Sequence, residues 1–229
     1  MKGGAHKMNN RKISFISCVN NFKKYNIALQ HIRSLKIPEG YQTETIVIEK
    51  ATSLTSGYNK GMERSDAKYK VYLHQDVNIL NENFIHDIIT LFEKYPNLGM
   101  LGVAGSKTLP NGVWWNSIAS YGKVYYVTPN RGTRGLLSMG KVRNDYEKVQ
   151  AIDGLIMITQ YDLKWREDLF KGWHFYDVSQ SCEFIKSGYE VGIPRQESPW
   201  CFHDHGIVNM SGYEENRNIF VENYKDYIN

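Results

Sequence analysis

Residues 13–49 read ISFISCVNNFKKYNIALQHIRSLKIPEGYQTETIVIE, and the fold class follows from their periodicity. The run Ile13 to Val19 is short, apolar and β-prone, as a strand buried on both faces requires. It ends at Asn20 and Asn21, where a different period takes over. Phe22, Tyr25, Leu29, Ile32 and Leu35 recur every three or four residues and give a helix one apolar face. Pro38 and Gly40 break that helix. A second apolar run, Thr45 to Ile48, then stops at Glu49. Strand, helix and strand in this order make a parallel crossover unit.

The alternation continues outward. A polar segment over 52–68, with two glycines, predicts a short helix in its second half. Lys70 to Leu73 is a strand that runs into His74-Gln75-Asp76. A helix follows over Phe84 to Tyr95 with Ile85, Ile88, Ile89 and Phe92 inward, and Pro96 stops it. Met100 to Val103 is a further strand, so the first hundred residues carry the pattern of an open α/β sheet. From Gly105 to Gln150 the chain turns rich in glycine, aromatic and basic residues, which predicts short strands and a long loop. Regular structure returns with a strand over Ala151 to Ile158. A helix over Asp177 to Ser187 follows, closed by Gly188, with a last strand over Tyr189 to Ile193. The tail after Gly206 predicts one outer helix. Residues 1–12 read as a tag-like or disordered N-terminus, and 13–229 as one domain.

Composition sets the limits of function. At 41% hydrophobic residues the chain has enough apolar material for a core, which excludes a disordered protein. Twenty-eight basic and 24 acidic residues leave +4, without the dense basic patch of a nucleic-acid binder. Cys18, Cys182 and Cys201 are far apart and form no CxxC pair, so neither a zinc ribbon nor a disulfide framework is indicated. There is no signal-peptide pattern and no apolar run of the roughly 20 residues that span a bilayer. The expected location is the cytoplasm, with peripheral membrane contact left open.

In open α/β sheets, ligands gather at the carboxyl ends of the strands. The polar residues ending apolar runs are therefore the candidates: Asn20-Asn21, Glu49, His74-Gln75-Asp76, and Asp177 at the start of a helix. By themselves Asp76 could cap a turn and Asp177 a helix.

Taken in order, these elements resemble the family 2 glycosyltransferases, inverting enzymes with the GT-A fold, a Rossmann-like mostly parallel sheet flanked by helices. The resemblance runs from Ile13 to His205. It covers the strand ending at Asn20, the acid Glu49, an Asn-x-Gly matched by Asn59 and Gly61, and His74-Gln75-Asp76 where the family has Asp-x-Asp. It continues with Asp153-Gly154, with Trp165 to Phe170 in place of a Phe-Asp-Glu segment, with Tyr176-Asp177 where the family has Glu-Asp, and with Gly188-Tyr189. A bacterial branch typified by a streptomycin-biosynthesis glycosyltransferase-like domain also carries His-Gln-Asp.

The resemblance implies a nucleotide-sugar donor and a glycan, lipid-linked or natural-product acceptor. Residues 13–104 would form the nucleotide half, 105–206 the acceptor and catalytic half, and 207–229 a C-terminal tail. Glu49 would contact the base, with Asn20, Asn59, Gly61, Gln75 and Asp76 around the donor. Asp177 would be the general base. Asp153, Gly154, Trp173 and His174 would lie on the acceptor side. A divalent metal, Mn or Mg, would bind Asp76 with help from His74, His203 and His205; a histidine beside one carboxylate suits manganese better than magnesium. The basic residues Arg131, Arg134, Lys141 and Arg143 read as a solvated loop or as a clamp for an anion. Two rivals remain. A nucleotidyltransferase would carry glycine in the loop after the first strand, and Asn20-Asn21-Phe22-Lys23-Lys24 has none. A non-catalytic nucleotide- or carbohydrate-binding domain draws support from the altered His74-Gln75.

Overall fold

In the computed structural model, which describes residues 8–127, 133–204 and 209–229, the opening unit forms as its periods demand. Strand β1 (Asn9–Val19), helix α1 (Phe22–Arg33) and strand β2 (Gln42–Glu49) make a parallel pair with a helical crossover, Ile16 lying opposite Ile46. Phe15 and Ile16 fall in separate core clusters, as the two faces of a pleated strand require. Asn21 caps α1, its Oδ1 accepting from the Lys24 N–H at 3.2 Å. β1 starts four residues before the expected boundary. Residues 9–12, read with the N-terminal segment, belong to the strand because Lys12 pairs with Glu44 at 2.6 Å and with Asp66 at 2.8 Å.

Helix α2 (Leu54–Glu63) begins in the first half of the polar segment and runs into the second, starting earlier than expected. Ser53 starts it, its Oγ accepting from the Ser56 N–H. The two glycines that read as breakers lie inside the helix as points of close approach. A Cβ at Gly57 would come within 2.2 Å of Cys18 Sγ, and one at Gly61 within 2.3 Å of Ile16 Cγ2.

The remaining elements are β3 (Ala67–Leu73), β4 (Val77–Ile79), α3 (Phe84–Lys94), β5 (Leu98–Gly102), β6 (Ala104–Ser106), β7 (Ser120–Val127) and β8 (Arg134–Met139). They are followed by β9 (Tyr146–Val149), β10 (Ala151–Ile152), β11 (Ile156–Thr159), α4 (Tyr176–Lys186), β12 (Glu190–Pro194), β13 (Cys201–His203) and α5 (Tyr213–Asn223). The main sheet has seven strands in the order β2-β1-β3-β11-β5-β12-β9, with β11 antiparallel to both neighbours and β9 antiparallel to β12. A second sheet runs β10-β6-β7-β13-β4, with β8 beside β7.

The single strand expected over 151–158 is therefore two strands in different sheets. The chain leaves β10 in the small sheet, turns at Asp153-Gly154-Leu155, and enters β11 in the large one. That break carries Asp153 and Gly154 to the carboxyl edge of the main sheet, where His74 N donates to Leu155 O at 3.2 Å. Among the described residues, no helix is long and apolar enough to cross a membrane.

Candidate active site

A cavity of about 1120 Å³ opens at that edge. β1 contributes Cys18 and the following Asn20, the end of β3 contributes His74, Gln75 and Asp76, the 153–155 turn contributes Asp153, and α4 contributes Tyr176 and Asp177. Gln75 stitches the first two together. Its Oε1 accepts from the Asn20 and Asn21 N–H groups at 3.0 and 2.7 Å, while its Nε2 donates to Asn20 Oδ1 at 2.7 Å.

His74, Asp76 and His203 bring ligand atoms within 4.8 Å of one another. His203 reaches the group because β13 pairs with β4, only a few residues beyond Asp76. Its Nε2 lies 3.4 Å from Asp76 Oδ1. Burial, then the charge of His203, push His74 down to about 4, so it is neutral at pH 7 and its ring keeps a lone pair for a cation. Burial works against ionisation of Asp76, but hydrogen bonding and charge from His203, with His74 and Lys24 beyond, hold its carboxyl at about 2. Two imidazoles and one ionised carboxylate are a donor set able to hold a divalent metal ion.

Asp177 lies in the first turn of α4. Phe175, in the left-handed region at φ 61°, turns the chain so that Tyr176 and Asp177 both line the cavity. Asp177 Oδ2 accepts from the Gly154 N–H at 3.0 Å. Burial, followed by the Asp153 carboxylate, raises its pKa from 3.8 to about 7, against the pull of the helix N–H groups. A carboxyl poised near neutrality beside open space can take up a proton at working pH.

Tyr176 joins the two centres. Its hydroxyl lies 2.5 Å from His74 Nε2. Gly154 makes room for it: a Cβ there would stand 2.0 Å from the Tyr176 hydroxyl. Gly154→Ala is expected to destabilise the fold by about 1–3 kcal/mol, because the Tyr176 ring is buried and cannot swing clear. Thermal melting measures that loss, and a Mn2+ titration of the same variant should show weakened binding.

Other expected site residues divide. Trp173, 47% exposed, and His174 line the cavity. Tyr213 continues this aromatic wall at 5.4 Å from His174 and 6.0 Å from Trp115. Glu49, Asn59 and Gly61 do not border the cavity. Glu49 ends β2 facing solvent, and the left-handed Lys50 (φ 53°) turns the chain so that Lys50 and Ala51 reach the cavity instead. Asn59 is buried, donating to Trp165 O at 3.0 Å and accepting from Trp165 N at 2.9 Å, which uses its amide to anchor a loop. Gly61 is a packing contact with Ile16. His205 and Arg131 lie outside the described residues. Arg134 sits over the Phe202 ring at 5.4 Å, and Lys141 borders a separate cavity of about 320 Å³.

The sequence reading missed Lys24, whose Nζ lies 3.4 Å from Asp76 Oδ2. It also gave Tyr176 and Tyr213 no role. The signal for Lys24 was a base in the first turn of a helix, where the dipole disfavours one.

A mixed α/β sheet that is parallel over β2-β1-β3 and flanked by helices is the fold of the GT-A glycosyltransferases. The model of the glycosyltransferase-like family matches residues 14–224, and the chain belongs to that family. Solved structures share the fold. Mannosyltransferase PcManGT from Pyrobaculum calidifontis, in complex with GDP-Man and Mn2+, superposes with TM-score 0.59 at 11% identity over 94% of this chain and 64% of that one. TarS 1–349 of S. aureus in complex with UDP gives 0.56 at 10% identity over 92% of this chain and 64% of that one. A Drosophila beta-1,4-galactosyltransferase 7 mutant with manganese, UDP-Gal and xylobiose gives 0.52 at 14% identity, over 89% and 74%. The chain thus spans a little under two thirds of the TarS and PcManGT chains. A sequence search of curated proteins found no match.

Proposed function

We propose that this chain transfers a sugar from a nucleotide-diphosphate sugar to an acceptor hydroxyl with inversion. The observation that carries the reading is Asp177, a carboxyl raised to about 7, in one cavity with the His74-Asp76-His203 group. Asp177 accepts the acceptor's proton, held at the cavity wall by hydrogen bonds from the Gly154 and helix N–H groups. His74, Asp76 and His203 would hold a divalent ion, Mn in preference to Mg. When bound, that ion supplies positive charge against the charge developing on the departing diphosphate. Gln75 and Asn20, locked together at the β1 and β3 ends, form the donor-side wall. Trp173, His174 and Tyr213 offer flat faces for an acceptor of the glycan, lipid-linked or natural-product kind. Within the family we place the chain in the branch carrying His-Gln-Asp. We place it in the cytoplasm, where its three unpaired cysteines would stay reduced.

Thermal shift against nucleoside diphosphates and nucleotide sugars, with and without Mn2+, tests the reading. A ligand at 100 times its dissociation constant adds roughly 2.7 kcal/mol. One nucleotide sugar should stabilise the chain, more strongly with Mn2+. No response to any nucleotide would leave only the fold.

A further inference from the structure

Lys24 stands where helix physics argues against it. It lies in the first turn of α1, a turn without an acidic residue, where the exposed N–H groups already supply partial positive charge. Its side chain is 29% exposed and folds inward. The ammonium reaches Asp76 Oδ2 at 3.4 Å, donates to the Asp204 carbonyl oxygen, and lies 4.0 Å from Asp204 Oδ2. On the other side of the same carboxylate, His203 Nε2 holds Oδ1 at 3.4 Å. Both oxygens of the one acid in the His74-Asp76-His203 group are therefore engaged, and Lys24 cancels its single negative charge.

We propose that Lys24 is an internal cation of this site: it neutralises Asp76 in the nucleotide-free protein, so that a divalent ion binds firmly only together with a nucleoside diphosphate. The inference rests on the metal reading given under Proposed function. The one ligand carboxylate is already paired with the Lys24 ammonium at 3.4 Å, with Asp204 Oδ2 further off at 4.0 Å, so an arriving divalent ion must share Asp76 with a cation already in place. Repulsion between that ammonium and a divalent ion held on the same carboxylate is worth roughly tenfold in affinity even at the dielectric of water. A diphosphate brings the missing negative charge and gives the ammonium a second anionic partner. Lys24 thus acts as a positioning residue that couples metal to donor, and the free protein gains no firmly held ion that would have to be displaced.

Isothermal titration of the full chain with Mn2+ alone, and with Mn2+ in the presence of uridine or guanosine diphosphate, reads the coupling directly. In the native chain one of the diphosphates should tighten Mn2+ binding at least tenfold. Lys24→Met should tighten Mn2+ binding in the absence of nucleotide about tenfold and shrink the coupling. Lys24→Arg should behave as the native chain, and Lys23→Met, on the exposed neighbour, should change neither value. A thermal melt of each variant confirms that it is folded. Nucleotide-dependent Mn2+ binding that is unchanged in Lys24→Met would overturn the role of Lys24 and leave the metal site standing. Absence of Mn2+ binding in every variant, with or without either diphosphate, would overturn both.

Discussion

Asp177→Asn is expected to lower turnover by about a thousandfold, within the range that a positioned general base supplies, while donor binding stays within a few-fold of native. The substitution keeps shape and the hydrogen bond from the Gly154 N–H, and removes only the site that accepts a proton. The native enzyme should show kcat/KM rising with pH through an inflection near 7, the value set by burial and Asp153. Stability should move the opposite way. Asp177 in the fold holds its proton to about 7, whereas the unfolded chain releases it near 3.8. Between those values the folded state binds more protons, so this group's stabilising contribution, fully present below pH 3.8, is lost as pH rises to 7. Asp177→Asn lacks that loss. Its melting temperature should match the native protein near pH 4 and exceed it at pH 8. A variant that lost turnover and also melted lower at pH 8 would point to a structural role instead.

The second large effect is expected at the metal group. Asp76→Ala removes its one carboxylate and leaves Lys24 and His203 without their shared partner. Nucleoside-diphosphate affinity in Mn2+ should fall about a hundredfold, the scale on which disturbed metal sites lose their ion. Affinity in EDTA should hold or rise, because the Lys24 ammonium, no longer paired with Asp76, has more charge to offer a phosphate. The ratio of the two affinities, measured by titration, therefore collapses towards one. An unchanged ratio would place the metal elsewhere.

What the sequence revealed and what it concealed have physical causes. The β1-α1-β2 unit was legible because its periods switch cleanly at Asn20 and again at Pro38, and the pairing came out parallel as expected. The start of helix α2 was misplaced because Gly57 and Gly61 signal a breaker in sequence, whereas against β1 they are the only residues that fit. The Ala151 to Ile158 run concealed a change of sheet, since an apolar string does not record which neighbours it pairs with. Asp153, Gly154, His74, Asp76, His203 and Asp177 could be picked out as polar residues at the ends of apolar elements or through the family order, and all border or support one cavity. Glu49 and Asn59 met the same criterion and lie elsewhere, because one left-handed residue, Lys50, and one buried amide contact decide where they point. Lys24 and Tyr176 reach the site only through long-range contacts that no local spacing encodes.

The most direct test of the central claim is release of nucleoside diphosphate from a panel of nucleotide sugars in Mn2+, followed by chromatography, with native chain and Asp177→Asn side by side. The account predicts that the native chain consumes one donor, that EDTA stops it, and that Asp177→Asn still binds this donor without consuming it. Consumption that persists in EDTA and is undiminished in Asp177→Asn would contradict it.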